Sequence, residues 1–177
     1  EEWERPINIE YFNSNGLHNF SINAGVRIHG YASREYPQKS LKIYTRKKYG
    51  KDHLDFKLLP NRNNEKYERF ILRSVFRGWP HTSINDVLAS DIVKDLNFEY
   101  LDYQPVIVYL NGEYWGLYTI RERIDEKYIS YLYDIEEDNV DPIFNPYWPH
   151  LNGPDYADLL SFIEENDLII QNNYNYI

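Results

Sequence analysis

Two cations and a carboxylate stand where strand alternation would turn them inward. Residues 25 to 44 read Gly-Val-Arg-Ile-His-Gly-Tyr-Ala-Ser-Arg-Glu-Tyr-Pro-Gln-Lys-Ser-Leu-Lys-Ile-Tyr, a strand, a tight loop and a second strand. Val26 and Ile28 alternate with Arg27 and His29, the period of a half-buried strand. Gly30 breaks the run, and Ser33, Arg34 and Pro37 fill a polar connection. The second strand is expected from Lys39, with Lys39, Leu41 and Ile43 on one face and Ser40, Lys42 and Tyr44 on the other. A lysine that shares a face with two aliphatic residues needs a partner or a route to water. A Gly/Ser/Arg loop beside a fixed lysine has the chemistry of an anion or phosphate cradle, because its backbone N–H groups and the ammonium both seek oxygen anions. Arg73 is the second inward cation, on a strand expected over 69–75. Glu122 ends the return strand of a hairpin and shares a face with Ile120 and Tyr118. Lys39 and Glu122 are therefore expected to meet as a buried pair. Such a pair is either a plain salt bridge at a sheet end or the rigid lysine of a catalytic site.

Composition narrows the chemistry. The 177 residues suffice for one domain with a real core, and 18 Tyr with 4 Trp make the chain aromatic-rich. A formal charge of −9 argues against general nucleic-acid binding, which needs a basic footprint. The basic residues cluster, however: Arg27, Arg34, Lys39, Lys42, Arg46, Lys47 and Lys48 face a single acid, Glu35, between residues 25 and 48. A local basic patch on an acidic chain suits a small anionic ligand. With no cysteine there is no disulfide and no thiolate metal site. His18, His29, His53, His81 and His150 lack paired spacing, so a metallohydrolase reading has little support. Neither a Gly-x-Ser-x-Gly elbow nor a Gly-x-x-x-x-Gly-Lys-Ser/Thr loop is present. No apolar run approaches the ~18 residues of a membrane span. The chain begins Glu-Glu-Trp and contains no Met, and we read it as a piece of a longer protein.

The elements that must position these groups follow from pattern. A strand over 7–12, a turn at Asn13-Ser14-Asn15-Gly16 and a strand to Ile22 make a hairpin. Residues 45 to 67 read as loop. The strand at 69–75 has apolar residues on both faces and should be interior. Thr82 or Ser83 should cap a helix running to Leu96, with Asp86 in its first turn. Gln104 to Leu110, the turn Asn111-Gly112 and Glu113 to Glu122 form the clearest hairpin, in which Trp115 is expected to pack inward. A helix from Ile124 to Tyr133, an irregular stretch over 138–153 and an amphipathic helix from Pro154 to Asn166 complete the chain. The expected fold class is α+β, a mostly antiparallel sheet with packed helices.

Taken in order, Gly25-Val26-Arg27-Ile28-His29-Gly30 with Ser33-Arg34, Pro37-Gln38-Lys39-Ser40, Leu72-Arg73, Asn85-Asp86, the run from Tyr109 to Tyr118, and Glu122-Arg123-Ile124-Asp125 resemble the CotH kinase family, the spore-coat protein H-like secreted atypical protein kinases. The likeness covers roughly residues 5 to 135. Residues 1–135 would be the nucleotide-covering region, and 136–177 a connecting segment and helix leading into a C-terminal half. The resemblance implies the N-terminal part of an atypical protein-kinase-like fold, ATP and Mg²⁺ as cofactors, and phosphoryl transfer to Ser or Thr of a partner protein. It also implies a secreted or cell-surface bacterial setting. Lys39 would contact the nucleotide phosphates, Ser33 and Arg34 would form the loop over them, and Glu122 would partner Lys39. Arg73 and Asp86 match motif positions. The family usually has Lys where Gln38 stands, and often Asn-Asp-Trp where this chain has Arg77-Gly78-Trp79. Its catalytic and metal-binding aspartates belong to a C-terminal half, so the 177 residues alone are expected to be inactive as a kinase. A non-catalytic glycan-binding or cell-surface module, using the tryptophans and tyrosines as a platform, is the alternative.

Overall fold

Residues 3–74, 85–96, 99–141 and 154–177 are described by a computed structural model. They fall into two compact units, Glu1–Arg123 and Ile124–Ile177.

The first unit is a curled antiparallel sheet of six strands. In chain order these are β1 (Arg5–Phe12), β2 (His18–His29), β3 (Ser40–Tyr44), β6 (Arg69–Ser74), β7 (Tyr103–Leu110) and β8 (Glu113–Arg121), arranged β1-β2-β3-β6-β8-β7. A two-stranded ribbon of β4 (Leu54–Asp55) and β5 (Lys66–Tyr67) lies between β3 and β6 in sequence. One helix, α1 (Asn85–Val93), connects β6 to β7. The α+β class is as expected, and β6 is interior, between β3 and β8. The hairpin turn is also as read: Asn111 (φ 52°) and Gly112 (φ 84°) both take the positive φ that a tight two-residue turn demands.

Four expectations need correction. Residues 18 to 29 form one strand, not two, and the reason is Gly25. A Cβ there would lie 2.6 Å from the Tyr49 ring and 2.7 Å from Glu4 Oε1. The glycine thus marks a close approach by neighbours rather than a break. The stretch 45–67 is more than loop: Leu54, Leu58, Leu59 and Tyr67 are buried in the main core with Ile22, Ala24, Ile43, Phe70 and Ile120. Trp115 is 43% exposed and does not pack inward. The helix read as capped by Thr82 or Ser83 is observed from Asn85 and ends at Val93. Those caps, Val75, Trp79, His81 and Trp148 lie outside the described residues.

Register separates the sheet into two chemically distinct faces. Val26 opposes Ile43, Leu41 opposes Leu72, and Leu72 opposes Ile120. Directly opposed residues share a face, so this one is the apolar core. An apolar cavity of about 460 Å³ opens on it between the edge strands, lined by Ile9, Phe20, Leu41, Phe70, Val106 and Ile120 among others. The other face carries the row Arg27, Lys42, Ile71, Arg121 and Tyr103.

In the second unit, α2 (Glu126–Tyr133) is capped by Asp125, whose carboxylate accepts from the Tyr128 N–H at 3.2 Å. Then come α3 (Pro154–Glu165) and a short α4 (Gln171–Tyr174). Phe162 stacks on Tyr176 with ring centroids 4.5 Å apart. Among the described residues no helix is long and apolar enough to cross a membrane.

Candidate anion site on the polar face of the sheet

Lys39 and Glu122 do not pair. Both belong by alternation to the apolar face, as the sequence suggested, but they lie at opposite ends of it. Ser74 opposes Tyr118, and Lys39 is level with that pair; Glu122, one residue beyond Arg121, is level with Phe70 and Ile43. Four residues along the strands and two strand spacings across put them about 13 Å and about 10 Å apart in the two directions. Each has other partners. Lys39 Nζ donates to the carbonyls of Arg34 (2.8 Å) and Tyr36 (2.9 Å). It thereby fastens the loop that precedes it. Glu122 faces Arg62, Oε2 to Nε at 3.5 Å, and both side chains are nearly buried. Arg62 also reaches Glu99 at 3.4 Å and the Tyr100 carbonyl. Burial pushes the Glu122 carboxyl above its usual range against the pull of Arg62 and Asn64, and Asp102 and Glu99 add to the rise.

The loop itself is tightly built. Gly30 has φ 115°, and a Cβ on it would sit 2.0 Å from Ser33 Oγ. A 3₁₀ turn over Ala32–Glu35 follows, with the Tyr36 N–H donating to the Ser33 carbonyl at 3.3 Å. Gln38 Nε2 donates to the Leu117 carbonyl at 3.1 Å, and Tyr118 Oη donates to the Lys39 carbonyl at 2.9 Å. These two bonds join the base of the loop to β8 beyond the end of β6. Gly116 (φ 135°) leaves room for Gln38, whose Nε2 a Cβ would meet at 2.2 Å.

The cations that do converge are on the opposite, polar face. Lys42 stands directly across from Arg27, with Arg121 two strands further along the same row. By the same register the next row is His29, Ser40, Arg73 and Thr119. Lys42 is 9% exposed and Arg121 7%. Like charges facing one another on a sheet are unfavourable, and buried ammonium groups are more so without a counter-charge. Burial holds the Lys42 ammonium below its ordinary pKa, and Arg123 and Arg69 push the same way. What opposes them is Tyr44, whose ring lies 5.0 Å from Nζ. His29 registers the same field: burial first, then Lys42, Arg73, Arg123 and Arg34, bring its pKa down to about 4.

One end of this face holds a buried carboxylate among its cations. Glu4, with its side chain 4% exposed, accepts from Arg27 at 2.8 Å and meets Lys48 at 2.9 Å and Arg46 at 3.4 Å. Tyr49 Oη also donates to it at 2.8 Å. Burial would raise its carboxyl, but the bonds from Lys48, Tyr49 and Arg27 and the charge of Arg46 outweigh that and bring it to about 2. At the His29 end, Lys42, Arg73, Arg123 and Arg34 act on one imidazole.

Of the residues singled out from sequence, Arg34 acts on His29 here, and Ser33 packs at the loop that borders it; Arg73, expected as an inward cation, instead lies on this polar face, because its neighbours Leu72 and Phe70 take the core side of β6. Lys42, His29 and Arg123 were missed as site residues. The signal was available, since alternation puts Lys42 on one face with Arg27 and, through the register, with Arg73. Among the described residues no group of three or more His, Asp or Glu side chains could hold a metal ion. The donors of this face suit phosphate oxygens, not Mg²⁺.

The chain matches the family model described as CotH kinase protein over residues 26–164, and it belongs to that family. The match spans the polar-face strands β3, β6 and β8 and the loop with Ser33 and Arg34. No curated protein matches the chain.

Proposed function

We propose that this chain is the nucleotide-binding part of a CotH-like protein kinase, and that its polar sheet face receives the phosphates of ATP. The observation that carries the reading is Lys42, a buried lysine directly opposite Arg27, whose pKa burial lowers. A buried, perturbed cation in such a setting marks a functional-site candidate. Arg34, Arg73 and Arg123 supply further charge, and Ser33 with the loop it packs in covers the phosphates. Lys39 holds that loop through the Arg34 and Tyr36 carbonyls. Glu122, paired with Arg62, supports the sheet end. In the complete reaction a Ser or Thr hydroxyl of the partner protein attacks the γ-phosphorus. The bond to the bridging oxygen breaks, ADP leaves, and the hydroxyl proton passes to a base. Such transfer is mostly positioning and charge stabilisation. The cations here stabilise the transferring group. When bound, Mg²⁺ would neutralise phosphate charge, held by acids that the family likeness assigns to a C-terminal half. The kinase-like fold and the secreted or cell-surface setting rest on the same likeness.

Equilibrium binding of ATP to this chain tests the reading. Lys42→Ala and Arg73→Ala should each weaken it at least about tenfold, the worth of one charge-assisted phosphate contact. Absence of ATP binding, or binding indifferent to both substitutions, refutes it.

A second reading, a glycan-binding module, is favoured by the exposed aromatics of the β7–β8 hairpin. Tyr109 and Tyr114 meet edge to face at 5.9 Å beside exposed Trp115. Thermal shift with ATP and Mg²⁺ against a glycan panel separates the two.

A further inference from the structure

Three cations of the polar face surround one ring, that of Tyr44. Tyr44 follows Lys42 by two residues on β3, so alternation gives both the same face. Directly across from it stand Gly25 on β2 and Arg69 on β6. The glycine leaves its side-chain position to Glu4 and Tyr49, which a Cβ would meet at 2.7 Å and 2.6 Å. The ring centroid lies 4.6 Å from the Arg46 guanidinium carbon, 5.2 Å from that of Arg27 and 5.0 Å from Lys42 Nζ. All three are within cation–π range. Glu4 also fixes Arg27 and Arg46, at 2.8 Å and 3.4 Å. Two of the three cations are thus anchored twice, and the ring they flank is anchored with them. Burial lowers the pKa of the third, Lys42, and its hydrogen bond to Tyr44 opposes that.

A ring and a carboxylate hold an ammonium differently. A carboxylate cancels its charge, whereas the quadrupole of a ring attracts it and leaves the net charge in place. A cation positioned by a ring therefore stays available to an incoming anion. Register also sets the ring behind Lys42. Along β3 the order on this face is Tyr44, Lys42, Ser40, so the row of His29, Ser40 and Arg73 lies on the far side of Lys42 from Tyr44. We propose that Tyr44 is a positioning residue of the anion site, its ring backing the Lys42 ammonium so that the ammonium meets a polyphosphate bound along that row. The proposal rests on the reading that this face receives the nucleotide's phosphates, and it names the side chain that sets the geometry of the cation on which that reading depends. Tyr44 acts through Lys42 and is not itself a phosphate ligand.

The test is equilibrium binding of ATP and of tripolyphosphate to the unaltered chain, to Tyr44→Phe, Tyr44→Leu and Lys42→Ala, and to the double variant Lys42→Ala with Tyr44→Leu, each checked for folding by circular dichroism. Tyr44→Leu should weaken binding about five- to thirtyfold, the span of one partly to fully desolvated cation–π contact. Tyr44→Phe keeps the ring and should stay within about threefold of the unaltered chain. On the Lys42→Ala background Tyr44→Leu should cost less than about twofold, because nothing is left to position. A merely structural tyrosine would cost the same on both backgrounds. The Lys42 ε-methylene proton signals give a second readout in the unaltered chain and in Tyr44→Phe, and carry the test if Tyr44→Leu does not fold: ring current should displace them from the position of exposed lysines. ATP binding with Tyr44→Leu as tight as the unaltered chain, with Tyr44→Phe as weak as Tyr44→Leu, with equal losses on both backgrounds, or with undisplaced Lys42 signals overturns the proposal and leaves the nucleotide reading intact. The expected pattern with tripolyphosphate, and no ATP binding, supports the proposal and removes the nucleotide reading. Binding of neither anion overturns both.

Discussion

Replacing Glu4 by Gln removes one charge from a place where a deep carboxyl depression and three ion pairs coincide. The carboxyl is held at about 2 against an ordinary 4.5. Each tenfold difference in proton affinity is about 1.4 kcal/mol, so the carboxylate contributes about 3 kcal/mol at neutral pH, an upper figure because Lys48 and Arg46 are themselves half-exposed. We expect Glu4→Gln to cost about 2–3 kcal/mol there. The sign follows from a depressed pKa: the contribution is complete above pH 4.5 and is lost as pH falls toward 2. Urea unfolding of both proteins at a series of pH values, followed by far-ultraviolet circular dichroism, gives the difference directly. It should be largest at pH 7 and shrink toward zero near pH 2. A difference that stays constant with pH would mean that Glu4 acts through packing against Gly25 and not through charge. A difference below about 0.5 kcal/mol at pH 7 would mean that the cluster is a solvated surface network.

Other consequences can be checked by similar means. Arg62→Met leaves Glu122 and its acidic neighbours without their cation and should cost about 3–5 kcal/mol in urea unfolding; adding Glu122→Gln should return much of it. Lys39→Ala should leave the fold intact and raise hydrogen exchange in the loop 31–37, whose carbonyls it holds, while Lys42→Ala should not. Gly30→Ala meets both a positive φ and the Ser33 hydroxyl and should destabilise by about 1–3 kcal/mol, measured as a lowered urea midpoint.

What sequence could and could not disclose divides along a physical line. Short-range rules carried well for the Asn111-Gly112 turn, the interior position of β6 and the face shared by Lys39, Leu41 and Ile43, which follow from φ preferences and period-2 alternation alone; alternation did not say which face of β6 is the core, so Arg73 was wrongly expected inward. Alternation also put Lys39 and Glu122 on one face, correctly. It says nothing about level along the sheet, because level is set by the pairing of strands far apart in the chain. A four-residue offset between Lys39 and Glu122 was therefore invisible and dissolved the expected pair. The continuity of β2 through Gly25 was hidden for a similar reason, since it depends on Glu4 and Tyr49 arriving from elsewhere. The stretch 45–67 looked polar because a few large residues, Leu54, Leu58, Leu59 and Tyr67, carry its apolar burial. Trp115 was misjudged because an aromatic on a strand is usually half-buried, and here β7–β8 is the edge hairpin, with this face open.

The two faces of the sheet are under different demands, and the difference locates function. The apolar face is consistent at every level, with Ile22, Ile43, Phe70 and Ile120 stacked across strands, and it would fold whatever the chain did. On the polar face, Lys42 opposite Arg27 is a local choice against stability, the kind of conflict that concentrates at functional sites. Evolution could have relieved it with a carboxylate on β3 or β6, as Glu4 relieves Arg27 at the other end. Instead Ser40, Arg73 and Thr119 occupy the adjoining row, and the imidazole of His29 is left within reach of four cations. An internal acid would have competed with a phosphate for the same donors. On the reading proposed above, the buried Glu4 at the Arg27 end would leave the His29 end as the part of the sheet that an incoming anion meets.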